Sequence, residues 1–170
     1  MPNAFFADFL HDLTIGTESM PFATAILRLI AAALMGSLIG WEREVNARPA
    51  GLRTHMLVSL ASALFALLAL ELTYLGDEAG VRLTSDPLRM IEAVTSGVAF
   101  LAAGSIITSG GKVKGLTTGA SMWMAGAVGL ACGIGKLQLA LVAMVFALIV
   151  LWIVRRLMPD ITPDRNADQD

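Results

Sequence analysis

Residues 137–154 read LQLALVAMVFALIVLWIV, an unbroken stretch without a charge, almost wholly aliphatic and closed by Arg155 and Arg156. This stretch decides the fold. A bilayer core ~30 Å thick asks for about 20 apolar residues in a helix, whereas a barrel strand needs only ~10 with alternating polarity. Working back along the chain, four further runs have the same character: Phe22 to Trp41, interrupted by Arg28; about Thr54 to Leu72; about Leu88 to Ser109, with Arg89 and Glu92 near its start; and the glycine-rich and alanine-rich run from Gly115 to Ile134. Composition agrees, with 56% hydrophobic residues, 16 glycines and 15% charge in 170 residues, where soluble domains carry roughly 25% charge. The mean hydropathy is +0.71. The expected fold is an all-α membrane protein, a bundle of five transmembrane helices over 22–155. A short interfacial helix within an extracytoplasmic segment 1–21 is expected before it, on the helical spacing of Phe5, Phe6, Phe9, Leu10 and Leu13. The polar residues 156–170 are expected to form a disordered cytoplasmic tail.

Lys and Arg stay on the cytoplasmic side of short loops. One side of the five-span arrangement carries Arg82, Arg89 and Lys136; the other carries Arg43, Arg48, Arg53, Lys112, Lys114, Arg155, Arg156 and Arg165. The N-terminus is therefore expected outside and the C-terminus in the cytoplasm. A net charge of −2 holds no basic excess for nucleic acid. No Walker A run, H-E-x-x-H, C-x-x-C or G-x-S-x-G occurs, and His11 and His55 are expected on opposite sides of the membrane. Neither an enzyme nor a resident cofactor or metal is expected. Cys132 lies in a small-residue helix and reads as a packed hydrophobe.

An ionised side chain at bilayer depth costs at least ~2.5–3.5 kcal/mol, so intramembrane charges must face protein or water. Arg28 heads a stripe of Ala32, Gly36 and Gly40, and on this topology it shares the outer half of the bundle with Glu71, Arg89 and Glu92. An ion pair from Arg28 to Glu92 or to Glu71 is expected, Glu92 being favoured because Ser96, Ala99 and Ala103 continue a small-residue face. The pair reads either as a register-fixing contact or as part of an ion path. Gly36, Gly40, Gly97, Gly104, Gly115 and Gly119 are candidate points of close helix approach.

A second cluster is expected at the cytoplasmic face: Glu42, Arg43 and Glu44 closing the first run, Arg48, Arg53 and Thr54 leading into the second, and Lys112, Lys114 and Thr117 between the third and fourth. The start of the second helix and the glycines around the two lysines favour an anion. Glu42 and Glu44 are placed to pair with the arginines or to offer oxygens to a hydrated divalent ion such as Mg²⁺. Contact with anionic lipid accounts for the basic residues but not for two interleaved glutamates.

In order, Gly40-Trp41-Glu42-Arg43-Glu44, Arg48-Pro49-Ala50-Gly51-Leu52-Arg53-Thr54, Ser96-Gly97-Val98-Ala99-Phe100-Leu101-Ala102-Ala103-Gly104 and Gly115-Leu116-Thr117-Thr118 resemble the signature blocks of the MgtC/SapB family of bacterial inner-membrane proteins. The resemblance spans Ile26 to Ile134, with Ala102 and Ala103 standing where the family commonly has glycine. It implies a multi-pass inner-membrane protein tied to growth in low magnesium, to acid or envelope stress and, in pathogens, to survival in macrophages. It also implies a regulatory role through membrane partners, among them the F-type ATP synthase. The chain is similar to the short branch, without the ACT-like C-terminal domain of longer members. The lipid bilayer and further copies of the chain are the other expected partners, and a homo-oligomeric transporter or channel for Mg²⁺ or another cation is the alternative function.

Overall fold

The computed structural model describes residues 19–78, 87–109 and 112–157. The interfacial helix expected before residue 19 and the tail beyond residue 157 lie outside that range. Among the described residues five helices follow one another: α1 (Phe22–Val45), α2 (Leu52–Glu78), α3 (Pro87–Gly104), α4 (Leu116–Gly133) and α5 (Leu137–Leu157). A small antiparallel hairpin, β1 (Ile107–Ser109) and β2 (Lys112–Lys114), joins α3 to α4, with Thr108 opposite Val113.

The ends of the helices are specified locally. Pro21 precedes α1 and its carbonyl accepts from Thr24 and Ala25. At the other end of α1, Arg48 N donates to Arg43 O at 3.1 Å and Ala47 N to Glu44 O at 2.9 Å. This is the Schellman arrangement, and it forces Ala47 into the left-handed region at φ 51°. The Glu44 carboxylate then accepts from the Leu52 backbone N–H at 3.0 Å and caps α2. The same closure recurs after α4, where Lys136 N bonds Ala131 O and Gly135 N bonds Cys132 O, with Gly135 at φ +81°.

The third run behaves differently from its expectation. It was expected to remain helical to Ser109, but α3 stops at Gly104 and the last residues form β1. Ser105 Oγ donates to Ala102 O at 2.7 Å, ending the turn, and the β-branched Ile106, Ile107 and Thr108 that follow favour an extended chain. Length separates the helices as well. Phe22–Val45 and Leu52–Gly76 are long and apolar enough to cross a membrane, and α5 has a shorter apolar stretch, Leu137–Ile153. Helices α3 and α4 have 18 residues each, about 27 Å at 1.5 Å per residue.

Helices α1, α2 and α4 pack on one another; α5 leans on α4 and α1, while α3 rests mainly on α4 and touches α2 only lightly. Small and β-branched residues fill the centre: Ala32, Ile39, Val58, Ala63, Ala125, Val128 and Cys132 among them. The outside is the apolar surface, with Leu27, Leu34, Leu57, Phe65, Phe100, Leu139, Phe146 and Trp152 all exposed. A shell of large hydrophobes around a core of small ones suits hydrocarbon surroundings and would aggregate in water.

Candidate functional site

The polar side chains buried in the bundle form a line along the α1, α2 and α4 contact: Arg43 from α1, His55, Ser59 and Ser62 from α2, Thr118 and Ser121 from α4. Three of them recur on α2 at helical spacing, so one face of that helix is polar along its N-terminal half. Ser59 Oγ donates to Ala32 O at 2.7 Å across to α1, and Ser62 Oγ donates to Val58 O within α2. Close backbone approach makes these bonds possible. A Cβ on Gly36 would stand 2.6 Å from Ser59 Cβ and 2.7 Å from the His55 carbonyl oxygen; one on Gly126 would meet Val98 at 2.9 Å.

At one end of the line, the Arg43 guanidinium, 5% exposed, donates from one terminal nitrogen to Thr118 Oγ1 at 3.0 Å. Its Nε is buried with no hydrogen-bond partner. His55 is fully buried and sits between Gly51 O, 2.8 Å from Nδ1, and Ser121 Oγ, 3.0 Å from Nε2. A carbonyl only accepts, so Nδ1 carries a hydrogen and donates. The Ser121 hydroxyl also lies 2.9 Å from Thr118 O, and its single proton goes either to that carbonyl or to Nε2. Arginine, imidazole and hydroxyls thus tie the first turns of α2 and α4 to the last turn of α1. Such a set stabilises negative charge and moves a proton over short distances; it offers no carboxylate for a hard cation.

The expected acidic partners are used elsewhere. Glu44 caps α2, and its carboxylate occupies the space where a Cβ on Gly51 would stand. Glu42 accepts from Asn46 Nδ2 at 2.8 Å through Oε1, while its Oε2 is buried without a partner. The Glu42 side chain faces a shallow cleft with Leu148, Ile149 and Trp152 of α5. Arg48 and Arg53 are exposed, Thr54 is half-buried, and Lys114 and Thr117 are exposed by the hairpin. Lys112 lies on β2 opposite Ser109. Of the expected cytoplasmic cluster, Arg43 alone enters the buried line.

The expected intramembrane ion pair is corrected. Arg28 Nη1 donates to Gly133 O at 2.9 Å, and its guanidinium fills the space beside Gly135, where a Cβ would be 2.6 Å from Nη2. The Schellman closure satisfies Ala131 O and Cys132 O but leaves the Gly133 carbonyl free at the negative end of α4, and a guanidinium answers both the lone pair and the dipole. Glu71 instead accepts from Ser19 N and Ser19 Oγ. Arg89 and Glu92 are exposed on α3. Among the packing glycines, Gly36, Gly40, Gly115 and Gly119 meet neighbours closely, whereas a Cβ on Gly97 or Gly104 would meet nothing within 4 Å.

His55, Ser59, Ser62 and Ser121 were not among the expected site residues. Their signal was present: His55, Ser59 and Ser62 repeat at i, i+4 and i+7 within an otherwise apolar run.

Residues 29–159 match the MgtC family. The chain belongs to the MgtC family. It is 36% identical over 142 residues to the putative magnesium transporter YhiD of Escherichia coli K12, covering 79% of this chain and 62% of that protein. It is 39% identical over 138 residues to protein MgtC of Brucella abortus, covering 81% and 54%, respectively. Against protein MgtC of Salmonella typhimurium strain LT2 it is 37% identical over 131 residues, covering 77% and 52%. This MgtC-family chain therefore spans just over half to about three-fifths of the length of these relatives. No solved structure matches it. All five helices described above lie wholly or mostly within the matched region, as does the buried line from Arg43 to Ser121.

Proposed function

We propose that this chain is a regulatory inner-membrane protein of magnesium and stress adaptation, acting through contacts with other membrane proteins rather than by carrying an ion through itself. The five helices are read as five spans, with the Arg43 end of the bundle toward the cytoplasm. One observation carries the reading: the polar line in the bundle consists of a guanidinium, an imidazole and hydroxyls, closed in by glycines at van der Waals contact. Mg²⁺ takes oxygen ligands, carboxylates foremost, and keeps several waters; neither the donors nor the space fit it. In this reading the line locks α1, α2 and α4 into one rigid body that presents fixed outer faces to a partner, the F-type ATP synthase being the partner the family resemblance implies.

A homo-oligomeric cation pathway is the second reading, and the exposed Glu92 on α3 favours it, since a carboxylate on the outer face would line a passage between copies. The printed name of the Escherichia coli relative, a putative magnesium transporter, points the same way. Purification of the full chain from its own membranes in mild detergent separates the two. The regulatory reading expects ATP synthase membrane subunits to co-purify with the parent chain and to be lost from Arg43→Leu, with Arg43→Lys intermediate. Equal recovery from parent, Arg43→Leu and a mock purification would overturn it.

A further inference from the structure

Gly36, Gly40, Gly119, Gly126, Gly129 and Gly133 each have a neighbouring helix within about 3.2 Å of where a Cβ would stand. Their smallness is explained by the fold of one chain. Gly97 and Gly104 of α3 are not: a Cβ at either would meet nothing within 4 Å. Glycine inside a helix is less favourable than alanine, so Gly97, without an internal reason, points outside the chain, and Gly104, which ends α3, leaves the same side open. Between them on the same face, at i, i+3 and i+7, is Phe100, 81% exposed. Earlier turns carry Ala93 and Arg89 on that face and Glu92 at its edge, all exposed, and neither charge bonds to another described residue. Alongside runs an apolar groove of about 520 Å³ between α2 and α3, lined in part by Ala61, Phe65, Ala93, Gly97 and Leu101.

We propose that a second copy of this chain covers this face, α3 against α3 about a twofold axis. Arg89 of one copy pairs with Glu92 of the partner subunit, and the reverse pair forms at the same time. Each Phe100 ring enters the groove of the other copy beside its Gly97. The occupant is a second copy because the face is self-complementary: it carries both signs of charge and both a projecting ring and a hollow. Two copies sharing one membrane orientation bring their α3 helices together in parallel, which offsets Arg89 from the opposing Glu92 by one helical turn, within reach of an arginine. In lipid, a carboxylate and a guanidinium on an outer face also need a partner. The proposal rests on the bilayer setting and not on the regulatory reading.

The test uses the full chain with Cys132→Ala as background. In native membranes, Ala93→Cys and Gly104→Cys are expected to oxidise to a covalent dimer, while Leu34→Cys, also exposed but on α1, is not. In detergent, Glu92→Arg and Arg89→Glu are each expected to weaken dimerisation at least tenfold by sedimentation, and the double swap to restore it. A monomeric parent, equal cross-linking at Leu34→Cys, or single reversals that leave dimerisation unchanged would overturn the proposal. If the reversals do not accumulate, the cysteine pairs decide alone, since those variants barely alter the chain. Loss of the dimer would leave co-purification of other partners untouched, so failure here is distinguishable from failure of the regulatory reading.

Discussion

Gly129→Ala adds one methyl group where α4 lies against the backbone of α2. The new Cβ would overlap the Ser59 carbonyl oxygen and stand 2.7 Å from Ser59 C and Cα. Carbon pairs rest at about 3.5–4.0 Å, so the two helices must separate by about 1 Å. Backbone cannot swing aside as a flexible side chain would. Overpacking of this kind costs ~1–3 kcal/mol. The Ser59 hydroxyl, which reaches Ala32 O on α1, is pulled from the same point and puts about 1 kcal/mol more at stake. Replacing a helical glycine by alanine returns ~0.5–1 kcal/mol. The net expectation is a loss of about 2 kcal/mol, a fall in melting temperature of ~4–8 °C for a chain of this size. Circular dichroism melts in a detergent that holds the chain monomeric provide the assay, with Gly97→Ala as the comparison because its methyl would meet open space. Gly97→Ala is expected to melt at or slightly above the parent. If Gly129→Ala does the same, the close approach of α2 and α4 is not as described.

Arg28→Met removes the bond to Gly133 O and the charge at the end of α4, and should cost ~1–2 kcal/mol. A double-mutant cycle with Glu92→Gln should show coupling below ~0.5 kcal/mol; stronger coupling would reinstate the ion pair that the structure replaces. Ala47 holds a left-handed conformation that costs an L residue ~1–2 kcal/mol, so Ala47→Gly is expected to raise the melting point, and a fall would count against the turn. His55→Leu strips Gly51 O and Ser121 of their shared partner and should cost ~1–3 kcal/mol. His55→Gln, which keeps a donor and an acceptor, should cost less, and equal losses from the two would show that the hydrogen bonds contribute little.

The number, order and approximate limits of the helices were legible because hydrophobic runs, prolines and glycines act locally. Leu137 to Val154 announces α5 without help from any other part of the chain, and Pro21 and Gly135 mark helix ends through their own backbone preferences. Arg28 was recognised as a residue in need of a partner, but the partner was not legible. A carboxylate is visible in a sequence, whereas a free backbone carbonyl at Gly133 belongs to every residue alike and becomes an acceptor only when a helix stops there. Glu44 misled for the related reason that its carboxylate serves the Leu52 N–H rather than a side chain. The α3 glycines show the converse. Spacing identifies a surface that something can approach closely, but not whether a neighbouring helix fills it, as at Gly129, or leaves it open to a groove, as at Gly97.

Ion flux through the purified chain tests the central claim most directly. With the protein reconstituted in liposomes that contain a Mg²⁺-sensitive dye, an inward Mg²⁺ gradient should give no uptake above that of empty liposomes, at a protein density where the dimer forms. Uptake that depends on the protein and disappears with Glu92→Gln would contradict the account and make the chain a carrier.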